Sequence, residues 1–289
     1  MHDPHRLILG CGYLGARVAA RWVRKGFQVA ATTRSREKAS DLAAAAITPL
    51  LGDLADPAHL PSLGRFDSVL FAVGFDRTAG RSIEEVYVGG MRNVLRLLEA
   101  DPPQRFIYIS STGVYGDAGG EWIDEETPCA PQREGGKACL AAERLLDAPL
   151  WRERSIILRL AGLYGPGRLP RKEDLMAGAP IAALESGYLN LIHVDDAASA
   201  VDLALEKANP PRTYLVTDGA PALRGEYYRE VARQLGAPPP KFDSTGAASR
   251  IARGGANKRV SNARIVWELG FHPQYPSYRE GIAASLATA

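Results

Sequence analysis

Leu7-Ile8-Leu9-Gly10-Cys11-Gly12-Tyr13-Leu14-Gly15 is an apolar run that ends in a Gly-x-Gly-x-x-Gly turn. The run reads as a buried strand feeding a helix, and each glycine has a physical job in cradling a pyrophosphate. Gly10 allows the sharp turn, Gly12 leaves no side chain in the path of the phosphates, and Gly15 lets the helix pack close to the sheet. Amides at that helix's start, those of Tyr13 and Leu14, would face the phosphate charge. Glycine turns also join strands to helices for structural reasons alone, so the flanking sequence decides. Ala16 to Lys25 places apolar residues at helical spacing, Gly26 is set to cap the helix, and Phe27-Gln28-Val29-Ala30-Ala31-Thr32-Thr33 reads as a second strand.

A dinucleotide's adenosine ribose would lie at the end of that second strand, where an acidic residue accepts from a free 2′-hydroxyl. This chain has Thr32-Thr33-Arg34-Ser35-Arg36 there. Arg34, with Ser35 beside it, offers a fork of donors to a 2′-phosphate, which favours NADP over NAD. The plainer alternative is a pair of solvated arginines at a helix start, where the helix dipole mildly disfavours cations.

With 289 residues, 46% of them hydrophobic, and a formal net charge of +2, the chain can bury a full core and carries no bulk charge suited to nucleic acid. No apolar stretch reaches the roughly 18 residues of a membrane span, and the first strand starts too early to leave room for a signal peptide. Three scattered cysteines, Cys11, Cys129 and Cys139, suggest neither a disulfide framework nor a metal site. The expectation is a cytoplasmic protein without nucleic-acid or membrane partners.

Strand and helix patterns alternate onward. Ile47 to Leu51, Ser68 to Val73, Arg105 to Ser110 and Ser155 to Leu160 are short apolar runs, and helical patterns cover Ser82 to Ala100 and Glu134 to Leu146. The fold class expected is α/β, a Rossmann-type doubly wound parallel sheet with a smaller C-terminal substrate lobe. Residues 1–160, completed by about 189–217, would form the dinucleotide domain, and 161–188 with 218–289 the lobe, with helices at Asp195 to Lys207 and Gly225 to Leu235.

Further signatures fall in one order: Gly52-Asp53-Leu54 after the third strand, Ser110-Ser111-Thr112-Gly113-Val114-Tyr115-Gly116, Arg159 through Gly167, Ile192-His193-Val194-Asp195-Asp196-Ala197, and Ser261-Asn262. Together they resemble the extended short-chain dehydrogenase/reductase family, the NAD(P)-dependent sugar-nucleotide epimerases and dehydratases, over essentially the whole chain. The resemblance implies cofactor contacts from Gly10, Gly12, Tyr13, Leu14, Gly15, Arg34, Ser35, Asp53, Leu54, Ala72, Val73 and Gly74. It also implies a hydride-transfer reaction on a small polar or nucleotide-linked carbonyl compound.

One departure cuts against that chemistry. Members of the family carry a tyrosine and, four residues later, a lysine on one helix face. Pro131, Gly136 and Glu143 set the register, which puts Gly135 at the tyrosine position and Cys139 at the lysine position. Lys137, two residues from Gly135, would sit on nearly the opposite side of the helix. Tyr87 stands where the family usually has asparagine. The pattern resembles the atypical branch that keeps the fold and loses the pair, so a non-catalytic NADP-sensing protein acting through a protein partner is the alternative to an enzyme.

The candidates left for chemistry are Ser111, matching the family's carbonyl-holding Ser/Thr, and Tyr164 in the lobe's opening signature, each with a packing role as its alternative. Ser111, Thr112, Tyr164, Lys258 and Arg259 are the candidate substrate contacts, the last two for a phosphate-bearing group. With Arg250 and Arg253 near by, Lys258 and Arg259 also read as a solvated basic loop. His193 between apolar neighbours and Cys139 without a cationic neighbour read as structural.

Overall fold

The computed structural model describes residues 5–181, 183–243 and 256–287, which leaves Arg250 and Arg253 outside the described residues. Seven strands form one sheet: β1 (His5–Leu9), β2 (Gln28–Thr33), β3 (Thr48–Leu51), β4 (Ser68–Phe71), β5 (Arg105–Ser111), β6 (Ser155–Leu160) and β7 (Arg212–Val216). Their order is β7-β6-β5-β4-β1-β2-β3. Pairing is parallel from β3 through β2, β1 and β4 to β5, with Leu9 opposite Phe71 and Ile8 opposite Ala31. The chain winds outward from β1 to β3 and then returns to lay β4 on the other side of β1. That reversal opens a crevice at the carboxyl ends of β1 and β4. The doubly wound parallel sheet expected from the sequence is therefore present.

The sheet's apolar runs are buried because helices cover both faces. Helix α1 (Tyr13–Arg24) turns Leu14, Gly15, Val18, Ala19 and Trp22 inward. Trp22 is fully buried, and its indole Nε1 donates to Asp202 at 2.8 Å. Asp202 also accepts from Arg21 and lies 3.1 Å from Lys25. Beyond α2 (Arg36–Ala44), the expected helix from Ser82 to Ala100 forms with a change of pitch. A π-helical turn spans Glu85–Gly89 before α3 (Gly90–Leu98). Ser82 and Glu85 make a reciprocal capping box at its start, each side chain accepting from the other's amide, at 3.1 and 2.7 Å. The paired glycines Gly89 and Gly90, poor helix formers, stand at the junction of the two pitches.

The chain divides into two compact units, each assembled from three segments. Unit 1 comprises Met1–Ser111, Glu134–Arg159 and Ala198–Tyr214, and unit 2 comprises Thr112–Arg133, Leu160–Ala197 and Leu215–Ala289. Leu9, Val69, Phe71, Met91, Phe106 and Trp151 belong to one apolar cluster in unit 1. In unit 2 the cluster is built on Tyr164, Leu175, Leu191, Tyr227 and Ile282. Short strand pairs organise unit 2: Gly162–Tyr164 with Leu191–His193, Tyr188–Leu189 with Ala222–Leu223, and Trp122–Ile123 with Arg259–Val260. Among the described residues no helix is long and apolar enough to cross a membrane.

Candidate functional site

The Gly-x-Gly-x-x-Gly turn works through two contacts and one vacancy of side chain. Gly10 has φ +93°, and a Cβ there would stand 2.7 Å from the Val73 backbone; a Cβ at Gly15 would collide with the Gly10 carbonyl oxygen. Neither position tolerates a side chain. A Cβ at Gly12 would meet nothing within 4 Å, so that glycine faces open space. The space is a groove of about 630 Å³ in unit 1, bordered by Gly10, Cys11, Gly12, Thr32, Arg34, Ser35, Asp53, Leu54, Val73 and Gly74 among others. Its shape, with backbone amides at the start of α1, fits an extended phosphate-bearing ligand. The Cys11 thiol is pushed up to about 11 by burial, with Lys38 opposing, so it stays neutral beside that ligand at physiological pH.

Of the residues expected to hold a cofactor, eight border the groove. Tyr13, Leu14, Gly15 and Ala72 do not. Leu14 and Gly15 are buried under the turn, and the Ala72 amide donates to Leu9 O at 2.8 Å, so these residues shape the groove from behind. Thr32 Oγ1 accepts from the Gly10 amide at 3.1 Å, tying β2 to the turn. Ser35 caps α2 by accepting from Lys38 N. Asp53 accepts from Ala55 N at 2.9 Å and from Arg81 at 3.3 Å. Arg34 donates to Asp76 at 3.1 Å, and both side chains are about half exposed. Three charged groove residues, Lys38, Asp76 and Arg81, carry no signature in the sequence that points to the groove. Nor does the sequence assign a role to Asn93, whose Nδ2 donates to Leu54 O at 2.9 Å and fixes the turn that follows β3.

Behind the end of β5 lies a buried polar network. Arg159 grips Glu143 with two hydrogen bonds, at 3.0 and 2.6 Å, and Ser110 donates to the same carboxylate at 2.5 Å. Three sequence signatures thus meet at one carboxylate, and the fork geometry satisfies a charge that burial alone would make costly. Ser111 follows, half-buried at the strand's end. Gly135 lies in the first turn of α4 (Glu134–Leu145), where a Cβ would make ordinary contact with Ile83 at 3.5 Å. Cys139 is buried one turn on, with its thiol pushed up to about 11 by burial. Lys137 is exposed and pairs with Glu134 at 2.8 Å, away from both positions. Neither helix position that should bear a proton-transfer group has one that titrates near neutrality.

Unit 2 has its own pocket, about 240 Å³, bordered by residues that include Thr112, Tyr115, Arg133, Asn190, Arg224 and Lys258. Two of the expected substrate contacts, Thr112 and Lys258, meet there. Tyr164 and Arg259 do not, and Tyr164 requires correction as a catalytic candidate. Its ring is fully buried, edge-on to His193 at 5.4 Å, and its hydroxyl donates to Ser277 O at 3.5 Å. A Cβ at Gly281 would strike that hydroxyl, and burial pushes the phenol upward, so Tyr164 is a packing residue. Arg259 donates to Gly120 O at 2.7 Å and lies over Trp122 and Tyr188, which makes it a strut. His193 is likewise structural. Nδ1 lies 3.3 Å from the Asp195 amide and Nε2 lies 3.3 Å from Ser285 Oγ, and the tautomer that satisfies both carries its proton on Nε2.

Lys258 differs from these. Its backbone carbonyl accepts from Asn190 Nδ2 at 2.9 Å, and the flanking Arg259 amide donates to Glu121 O, so the residue is pinned. The side chain is only 6% exposed, and Nζ reaches the carbonyls of Tyr115 and Gly116 at 3.3 and 3.4 Å. Burial lowers the ammonium to about 8, with exposed Asp117 opposing and Arg133 reinforcing.

Residues 7–217 match the NAD dependent epimerase/dehydratase family. Protein YeeZ of Escherichia coli (strain K12) is 30% identical, covering 93% of this chain and 95% of its own. A 3-diazoavenalumate denitrifying reductase of Streptomyces sp is also 30% identical, over 75% of this chain and 86% of its own. The solved structure of a functionally unknown conserved protein from Silicibacter pomeroyi DSS aligns with a TM-score of 0.81 at 28% identity, covering 99% of each chain.

Proposed function

The chain belongs to the NAD-dependent epimerase/dehydratase family, and from that premise we propose that it binds NADP and exchanges hydride with a small polar carbonyl compound. One observation carries the cofactor choice. The groove beside the glycine turn has Arg34 and Ser35 directly after β2, where an NAD site would hold an acidic residue, and Lys38 from the first turn of α2. These donors suit a 2′-phosphate, and Asn93 steadies the turn at Asp53 and Leu54 that would face the adenine. A bound nicotinamide would supply the hydride. Ser111, at the end of β5, would orient the carbonyl through its hydroxyl, backed by the Ser110–Glu143–Arg159 network.

A second reading is favoured by α4. Gly135 and Cys139 leave the family's acid–base pair without a side chain that titrates near neutrality, as a protein that senses NADP and signals through a protein partner would show. Incubation with NADPH deuterated at its reactive carbon and a metabolite extract, followed by mass spectrometry, separates the two. Protein-dependent label in a product supports the oxidoreductase. Saturable NADPH binding with no labelled product sinks the reductase reading and leaves the sensor or an epimerase that returns the hydride internally.

A further inference from the structure

We propose that the unit 2 pocket at Lys258 is a binding site for one compact oxyanionic group, a carboxylate or monophosphate carried by the substrate. Among the described residues the pocket gathers three cations, Lys258, Arg133 and Arg224, and no carboxylate borders it. Lys258 is the decisive member. A lysine this buried ordinarily has a counter-ion, yet among the described residues no carboxylate lies within ion-pair distance of its Nζ. Two long contacts to carbonyls use two of its three donors, and an oxyanion in the pocket would take the third. Arg224 is held by the Leu184 and Ser186 carbonyls, at 2.9 and 3.0 Å through one guanidinium nitrogen, which leaves its other donors available. Arg133 is exposed and lies near enough to disfavour the charge on both Lys258 and Arg224. Cations that disfavour one another's charge around a concavity, as Arg133 does to Lys258 and to Arg224, are stabilised when an anion enters. Thr112 and Asn190 border the same pocket.

The volume restricts the ligand. A cavity of about 240 Å³ lies below the range of about 300–1,000 Å³ typical of drug-sized ligands, so it takes a compact acidic group rather than a nucleotide. The inference rests on the oxidoreductase reading only in assigning the anion to a substrate; the site itself stands on unit 2 alone.

Isothermal titration of the full chain with inorganic phosphate, and separately with acetate, at constant ionic strength set by chloride tests the site. Saturable binding of at least one probe is expected, weakened about 10-fold or more by Lys258→Met and several-fold by Arg133→Gln, with NADPH affinity unchanged in both. A preference between the probes distinguishes phosphate from carboxylate. Acetate, whose charge is constant in this range, should also bind more weakly as pH rises through about 8, where Lys258 loses its proton, and that dependence should vanish in Lys258→Met. The other charged groups near by are the guanidinium groups of Arg133 and Arg224 and the exposed carboxylate of Asp117. No saturable binding of either probe at millimolar concentration, or equal binding by wild type and Lys258→Met, would overturn the proposal. Retained NADPH binding in that case leaves the cofactor reading intact.

Discussion

Arg34 and Asp76 pair at 3.1 Å on the border of the groove, so a 2′-phosphate arriving there must take the guanidinium from a carboxylate. Both side chains are about half exposed, and an exchange between solvated partners costs little. Arg34→Ala should therefore weaken NADPH binding about 10- to 100-fold while leaving NADH binding within a few-fold, as read by fluorescence titration. Equal losses for both nucleotides would remove the phosphate assignment. Asp218 in unit 2 offers a test of stability. It is buried, one carboxylate oxygen has no hydrogen-bond partner among the described residues, and burial, with Asp196 near by, pushes its carboxyl up to about 7. A carboxyl near 3.9 in the unfolded chain that titrates near 7 when folded binds more protons in the native state. Native stability therefore falls as pH rises from about 4 to about 7. Asp218→Asn should stabilise the fold above about pH 7 and have little effect near pH 4, measured by urea denaturation at both ends. A gain independent of pH would show that the charge is not the cause.

At the scale of elements, α1 and the helix Val194–Lys207 are joined by one acidic side chain. Asp202 accepts from the Trp22 indole and from Arg21, lies against Lys25, and is 3% exposed. Arg6 stacks on the Phe27 ring with its guanidinium carbon 3.3 Å from the centroid, and two of its buried nitrogens have no hydrogen-bond partner among the described residues. Asp202 eases that burial by its charge. Removing one partner of a buried charged network costs about 3–5 kcal/mol, because the remaining groups stay desolvated. Asp202→Ala should show a loss of that size in urea unfolding, with the denaturant slope unchanged; a loss below about 0.5 kcal/mol, the range of surface substitutions, would refute the role. The π-helical turn before α3 brings Val86 to the groove's border. Periodicity predicted one helix there, because an extra residue in a single turn leaves the apolar pattern on either side nearly intact.

Across the whole molecule, neither unit is a continuous stretch of chain. Residues 198–214 complete unit 1, supplying β7 beside β6 and Asp202 beneath Trp22. A fragment ending at residue 160 should consequently lack a cooperative thermal transition and near-ultraviolet circular dichroism, whereas the full chain shows both. A cooperatively folding fragment would contradict this dependence. The glycine turn, the strand runs and the helix stripes were legible in the sequence because they are local: φ preference, period and capping act over a few residues. They determined the doubly wound sheet, the groove at Gly12, and the absence of a titratable pair at Gly135 and Cys139. The standing of Tyr164, Arg259 and Lys258 was not legible, since each is a polar residue in an ordinary-looking loop or short strand. Tertiary packing alone decided that Tyr164 is buried against Gly281, that Arg259 donates to a loop carbonyl, and that Lys258 faces a pocket with no carboxylate among the described residues. The reason is physical: a side chain's chemistry is written in its residue type, but its desolvation and its partners come from segments 70 to 140 positions away.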